Sequence, residues 1–222
     1  MRVAMSGVTV RYGEVLALDA LTLEIAQGST MAVCGPAGSG KTTFLKVLAG
    51  LVTPVSGEVR WGSQTLSALN AQQKRALQAG IGMVFQSDAL FDSMTVLENV
   101  LLPLKKRKVD PDEAIERARE ALTQVGLEHA ATKRPEELSG GMKKRLGVAR
   151  AIVSRPAVLL ADDPFAGLDP ATEKSIAKLL LDVSVGRTLI AALPDPLESL
   201  PDRKSTRLNS SHVLRSRMPS SA

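Results

Sequence analysis

The sequence predicts an α/β fold, and three observations carry that prediction. Short apolar runs of strand length recur between stretches of helical spacing: Thr30-Met31-Ala32-Val33-Cys34, Ile81-Gly82-Met83-Val84-Phe85, Ala157-Val158-Leu159-Leu160-Ala161 and Thr188-Leu189-Ile190-Ala191-Ala192. The first runs into a glycine-rich loop, Gly35-Pro36-Ala37-Gly38-Ser39-Gly40-Lys41-Thr42, and then into the helix-like Thr43 to Ala49. From Ser87 to roughly Ile152 the texture is helical, so a helical insert interrupts a core of strands and helices.

Taken in order, Val3 to Ile25 reads as strands: Val8-Thr9-Val10, a turn at Tyr12-Gly13-Glu14, then Leu21 to Ile25 with alternating character. Gln27-Gly28 turns the chain into the strand before the loop. The cluster Thr53-Pro54-Val55-Ser56-Gly57 leads to a strand at Glu58-Val59-Arg60-Trp61. A polar helix is expected over about 67–79, and the strand that follows it ends at Gln86. Asp110-Pro111-Asp112-Glu113 starts a helix, with proline in its first turn and acids at its positive end; Gly126 ends it. Another helix is expected over about 170–183. Lys105-Lys106-Arg107-Lys108-Val109 reads as a solvated basic linker between two helices rather than an import signal.

A chain of 222 residues, 44% hydrophobic, suffices for one α/β core with a smaller inserted unit. No apolar run reaches the length of a membrane span, and the first residues lack a secretory pattern. The one cysteine, Cys34, excludes an internal disulfide and reads as a buried, inert thiol. The net charge of +5 belongs to the end of the chain. Arg203, Lys204, Arg207, Arg215 and Arg217 have no acidic neighbour after them or between them, and without them basic and acidic residues balance at 23 each. A basic nucleic-acid footprint is therefore excluded as the reading of the body.

The loop at 35–42 matches G-x-x-x-x-G-K-[ST] between strand and helix, the context a P-loop requires. Glycines let consecutive N–H groups turn inward around phosphate oxygens, and the following helix aims its positive end at the same anion. Lys41 can reach the β- and γ-phosphates and the Thr42 hydroxyl can ligate Mg²⁺. A nucleoside triphosphate is the expected ligand. Leu138-Ser139-Gly140-Gly141-Met142 opens a second helix, expected from Met142 to Ile152, with another anion-ready N-terminus. Two such termini make sense if this one caps the γ-phosphate held by a second subunit.

With these motifs the sequence resembles the ATP-binding cassette (ABC) nucleotide-binding domain from Met1 to about Arg203. The resemblance implies a P-loop NTPase (RecA-like) core, an N-terminal antiparallel β subdomain and an inserted ABC-type helical subdomain. Its boundaries would be a core of 1–86 and 153–203 and a helical subdomain of 87–152. It implies ATP and Mg²⁺ as ligands and hydrolysis of ATP. Tyr12 stands at the adenine-stacking aromatic, Gly35 to Thr43 hold the phosphates, and Ser139, Gly140 and Gly141 are the signature motif that closes over ATP in the other copy. Gln86 is the Q-loop glutamine near Mg²⁺ and the attacking water. Asp162 ends the Walker B strand as a magnesium partner, and Gly167-Leu168-Asp169-Pro170 is the D-loop.

Two departures from the pattern bear on hydrolysis. Asp163 replaces the glutamate that polarises the water and is one methylene shorter; Pro194, aligned through Asp195, replaces the switch histidine. His129 and His212 lie elsewhere. A degenerate cassette that binds ATP with little turnover is therefore the alternative reading, and a soluble non-transport ABC ATPase is a further one.

The methionine in Leu-Ser-Gly-Gly-Met-Lys-Lys-Arg and the run from Gly82 to Val100 resemble the Mla-type subfamily of phospholipid transporters. That resemblance implies a homodimer, an integral-membrane permease received in the groove near Ala89, Leu90, Phe91 and Met94, and an MCE-type partner. It implies no nucleic acid, and a location on the cytoplasmic face of a bacterial inner membrane. Residues 204–222 have no periodicity and resemble translated adapter sequence, so they are expected to be non-native or disordered and the C-terminal elements truncated. A basic extension touching anionic lipid is the other reading of that tail.

Overall fold

The computed structural model describes residues 2–194 and the backbone of Lys204–Arg207. The chain divides into two compact units, Met1–Gln78 with Ile190–Ala222, and Ala79–Leu189.

In the first unit, β1 (Val3–Tyr12) and β2 (Val15–Ile25) form an antiparallel hairpin in which Val3 faces Ile25, Met5 faces Leu23 and Val8 faces Leu21. Val3, Met5, Val8 and Val10 alternate inward and are buried. Both strands are longer than their alternating segments suggest, because backbone pairing continues through register shifts where the apolar alternation lapses. β3 (Thr30–Cys34) leads to the glycine-rich loop, and α1 (Lys41–Leu48) buries Phe44, Leu45, Val47 and Leu48. β4 (Ser56–Trp61) pairs with the other side of β1, and β5 (Gln64–Thr65) completes the order β2-β1-β4-β5. The buried Trp61 donates its indole N–H to the Leu48 carbonyl at 3.1 Å, fastening β4 to the end of α1.

The helix expected over 67–79 begins only at Ala71 (α2, Ala71–Ala79). Asn70 and Gln73 exchange two hydrogen bonds of 2.9 Å, a reciprocal cap that sets the start, and Leu66–Ala68 makes a single tight turn before it.

In the second unit, β6 (Ile81–Val84) and β7 (Val158–Asp162) pair in parallel, Ile81 with Val158 through Val84 with Ala161, and every residue of β7 is buried. The insert holds α3 (Val96–Lys106), α4 (Pro111–Gln124) and α5 (Gly140–Ile152), and α6 (Pro170–Val183) follows β7. Lys105 and Lys106 are the exposed last turn of α3, complementing its negative end, so the basic run is only partly linker. α5 starts at Gly140, two residues before the expected Met142.

The first helix of the insert starts nine residues after Ser87, and the buried Asn99 shapes the loop before it. Its amide donates to the carbonyls of Phe91, Met94 and Thr95 at 3.0–3.2 Å, and its oxygen accepts the Phe91 N–H at 2.9 Å. Thr95 caps α3 in a reciprocal box with Glu98. Thr95→Ala removes the acceptor for the Glu98 N–H. Thermal denaturation should show a loss of about 1 kcal/mol, roughly 2–4 °C in Tm for a chain of this size.

β8 (Thr188–Leu193) is buried throughout, and β9 (Lys204–Arg207) lies parallel to β3, in register from Met31–Lys204 to Cys34–Arg207. In the first unit β3 lies between β8 and β9. The sequence reading places no strand after residue 203. Pairing to β3 uses backbone groups, so it requires none of the side-chain periodicity by which a strand is recognised in sequence. Among the described residues, no helix is long and apolar enough to cross a membrane.

Candidate functional site

In the first unit the loop leaves the carboxyl end of β3. Gly35 N–H donates to the Leu193 carbonyl at 3.3 Å, which ties the loop's start to the end of β8, and Ser39 N–H donates to Pro36 at 3.2 Å. Gly38 (φ 78°) and Gly40 (φ 90°) are both left-handed. A Cβ on Gly40 would stand 2.3 Å from the Ala17 carbonyl of β2, whereas one on Gly38 would meet nothing within 4 Å. No side chain caps the start of α1, and the buried Ser39 hydroxyl has no hydrogen-bond partner. Lys41 Nζ donates to the Gly35 and Pro36 carbonyls at 2.7 and 2.8 Å, which draws its ammonium over the mouth of the loop. An uncapped helix start, an orphaned hydroxyl and an inward ammonium suit an anion.

Tyr12 closes β1 at the hairpin end and is half exposed, with exposed Val15 and Leu16 beyond the turn. Since β2 presses on Gly40, the hairpin and the loop share this unit. Pro194 follows Leu193 directly and is exposed; Asp195, through which it was aligned, lies outside the described residues, as do 208–222.

In the second unit Gln86 follows β6 and Asp162 ends β7 almost wholly buried. Gln86 Nε2 donates to Asp163 Oδ2 at 3.3 Å, joining two residues 77 positions apart in sequence. Asp163 is left-handed at φ 42° although it precedes a proline, a conformation aspartate tolerates better than most side chains. Ser139 caps α5 by accepting the Met142 N–H at 3.3 Å. Gly140 has open space where a Cβ would be; Gly141 does not, since its Cβ would come within 2.9 Å of Thr172 Cγ2 on α6. The two glycines thus differ: Gly140 leaves room at the helix start, and Gly141 lies where a side chain would press on Thr172 of α6. Arg145 donates to the Val125 carbonyl and to Ser175 Oγ of α6, at 2.9 and 2.8 Å. Asp169 caps α6, and its hydrogen bonds to Thr172 hold its carboxyl below the ordinary range. The stability from that cap is present above the unfolded carboxylate pKa and is lost as pH falls through the lowered folded value.

The segment after Gln86 is held by residues that motif reading passes over. Lys144 Nζ donates to the Gln86 carbonyl at 2.5 Å and lies 3.1 Å from Asp88 Oδ1, an ion pair without hydrogen-bond alignment at that oxygen. Arg150 donates to the carbonyls of Ala89 and Asp88, both at 2.6 Å; burial pushes its guanidinium pKa down, with the Asp88 charge opposing. The available signal was helical spacing, which puts Lys144 on the face of Gly147, Val148 and Ala151. Beside this segment lies a cavity of about 370 Å³, lined among others by Phe85, Ala89, Phe91, Leu102, Pro103 and Lys106. Of the four apolar residues expected to form a groove, Ala89 and Phe91 line this cavity.

The family model described as ABC transporter matches residues 18–166, a span that includes the glycine-rich loop, the start of α5 and the carboxylates of Asp162 and Asp163. The chain belongs to the ABC transporter family. Its ATP-binding cassette is 39% identical over 191 residues to the lipoprotein-releasing system ATP-binding protein LolD 1 of Rhodopirellula baltica, covering 86% of this chain and 83% of that one. It is 40% identical over 182 residues to the methionine import ATP-binding protein MetN of Rhizobium etli, covering 81% of this chain and 50% of MetN. The chain therefore spans about half the length of the MetN relatives it matches. Among solved structures, the dimeric cassette MJ0796 in a post-hydrolysis state bound to ADP and Pi superposes with a TM-score of 0.84, at 32% identity and 94% coverage of each chain. The cassette cbiO1 of Clostridium perfringens, part of the transporter complex cbiONQ, superposes with a TM-score of 0.79 at 31% identity, covering 87% of this chain and 78% of that one.

Proposed function

We propose that this cassette is the ATP-binding and ATP-hydrolysing subunit of an ABC transporter, working as a dimer beneath a membrane permease. The observation that carries the reading is the pair of glycine-led helix starts, at α1 and at α5, in a chain of this family. Each is built to receive phosphate oxygens, and one triphosphate needs both only if two copies share it.

In this reading Gly35 to Thr43 cradle the triphosphate, Tyr12 stacks on the adenine, and Lys41 exchanges its two carbonyl partners for phosphate oxygens. Ser139, Gly140 and Gly141 close on the ATP of the second copy, and Asp163, steadied by Gln86, polarises the water. The resemblance assigns Mg²⁺ to Thr42, Gln86 and Asp162, each of which carries a side-chain oxygen of the kind that ion takes, and a bound ion would neutralise phosphate charge. The shortness of Asp163 and the missing donor at Pro194 favour slow turnover, which is what the degenerate-cassette reading also rests on.

The cavity beside Phe85 and Phe91 would receive the permease, placing the cassette at the cytoplasmic face of a membrane without spanning it. The subfamily reading is lipid transport with an MCE-type partner, supported by Met142 and the 82–100 run. The relatives named above import methionine or release lipoproteins, so the cargo rests on those sequence features alone.

The test is Lys41→Ala in the full chain. Binding of a fluorescent ATP analogue should weaken at least tenfold and ATP-dependent dimerisation should disappear, since Lys41 supplies a charge-assisted contact to the phosphates. Unchanged binding would remove the loop from the site.

A further inference from the structure

The backbone immediately after Gln86 is strained: it makes its own turn bonds, Asp88 N–H to the Phe85 carbonyl and Ala89 N–H to the Ser87 carbonyl, and two side chains of α5 hold it as well. Asp88 (φ 55°) and Ala89 (φ 47°) are consecutive non-glycine residues in the left-handed region. A short polar side chain eases that conformation for aspartate; nothing comparable exists for alanine. Such strain persists where surrounding contacts over-determine the chain. Those contacts come from α5. Arg150 binds the carbonyls of Asp88 and Ala89, while Lys144 binds the carbonyl of Gln86 itself and pairs with the Asp88 carboxylate.

Lys144 is 4% exposed, so its amine reaches these partners from inside the unit rather than from solvent. One contact further on, the Gln86 side chain meets Asp163 through a long hydrogen bond of 3.3 Å. A contact that long is sensitive to small shifts of the backbone carrying it. At the other end, Lys144 lies on the second turn of the helix that Ser139 caps.

We propose that Lys144 is a positioning residue for hydrolysis: by fixing the Gln86 carbonyl and Asp88 it holds the Gln86 side chain against Asp163, and so links the start of α5 to the carboxylate that orients water. This rests on the ATPase reading above. Lys144 touches no nucleotide in this scheme, so its effect falls on the chemical step and not on binding. Arg150 serves the same segment two carbonyls further on, where it supports the strained turn without contacting Gln86.

The experiment compares the unmodified full chain with Lys144→Met, Lys144→Arg and Asp88→Asn, measuring steady-state ATP hydrolysis and amide hydrogen exchange over residues 84–92. Lys144→Met should lower kcat about tenfold, the scale expected for a sub-ångström loss of placement, with KM for ATP within twofold. Exchange over 84–92 should accelerate while exchange over 35–42 stays unchanged. Lys144→Arg, which keeps a donor and a positive charge, should restore most of kcat. Asp88→Asn, which removes the ion pair but leaves the bond to the Gln86 carbonyl, should lose less kcat than Lys144→Met and serves if Lys144→Met does not fold. Equal loss of kcat and ATP affinity, or accelerated exchange with kcat unchanged, would overturn the positioning role; so would unchanged exchange over 84–92. If the unmodified chain releases no phosphate, the ATPase reading falls instead, and the exchange data alone decide whether the strut exists.

Discussion

Alanine at Gly40 should lower the melting temperature by roughly 5–15 °C and abolish binding of ATP analogues. Two costs add. The left-handed backbone at φ 90° penalises any side chain by about 1–2 kcal/mol. The new methyl would also stand 2.3 Å from the Ala17 carbonyl, a backbone atom in a paired strand that cannot turn aside. Overpacking of that kind costs about 1–3 kcal/mol, and a chain of this size loses roughly 2–4 °C per kcal/mol. Relief of the clash would push the loop away from β2, widening the glycine turn that leads into α1. Gly38→Ala separates the two terms, since Gly38 is equally left-handed but has open space around it. It should cost only the backbone penalty. If both variants melt together, the contact with β2 has no role.

Asp163→Glu should raise kcat about tenfold while leaving ATP affinity unchanged. The carboxylate already meets Gln86, but at 3.3 Å, the loose end of hydrogen bonding. An added methylene carries it further from β7, and displacement on the order of 1 Å is worth up to about a hundredfold in rate. The gain is limited by the backbone. At φ 42° aspartate is better tolerated than glutamate, so the variant should also lose a few degrees in Tm. Adding Pro194→His should raise kcat further, because that position directly follows Leu193, whose carbonyl holds the first residue of the loop. A histidine there brings an N–H donor to the loop's edge. Unchanged or slower turnover in Asp163→Glu would mean that the aspartate already stands at its working distance.

Much of this molecule is legible in its sequence. The strand, loop and helix from Thr30 to Leu48 were legible because one local rule, an apolar run followed by glycines and a helix start, specifies all three. The same holds for α6, whose proline and acidic cap mark its start and whose bounds match the expectation. Local rules also misplaced things. Helical texture after Ser87 concealed an eight-residue stretch without helix before α3, because the residue that shapes it, Asn99, acts through its side chain from inside the next helix.

What the sequence by itself determined was the list of chemical groups: a glycine-rich loop between strand and helix, a second glycine-led helix start, a glutamine, two carboxylates. Those depend on residue type and near spacing, which a linear string displays. Only the tertiary structure decided how the groups are supported. It showed that Gly40 is obligatory because a strand more than twenty residues earlier passes against it. It showed that a side chain at Gly141 would press on Thr172 of α6, that Gln86 meets Asp163, and that Lys144 and Arg150 bind the carbonyls of the segment running from Gln86 into the left-handed turn. Each of these is a contact between residues distant in sequence. Such contacts leave no periodicity, since their partners are chosen by how the sheets and helices pack and not by which residues stand next to one another.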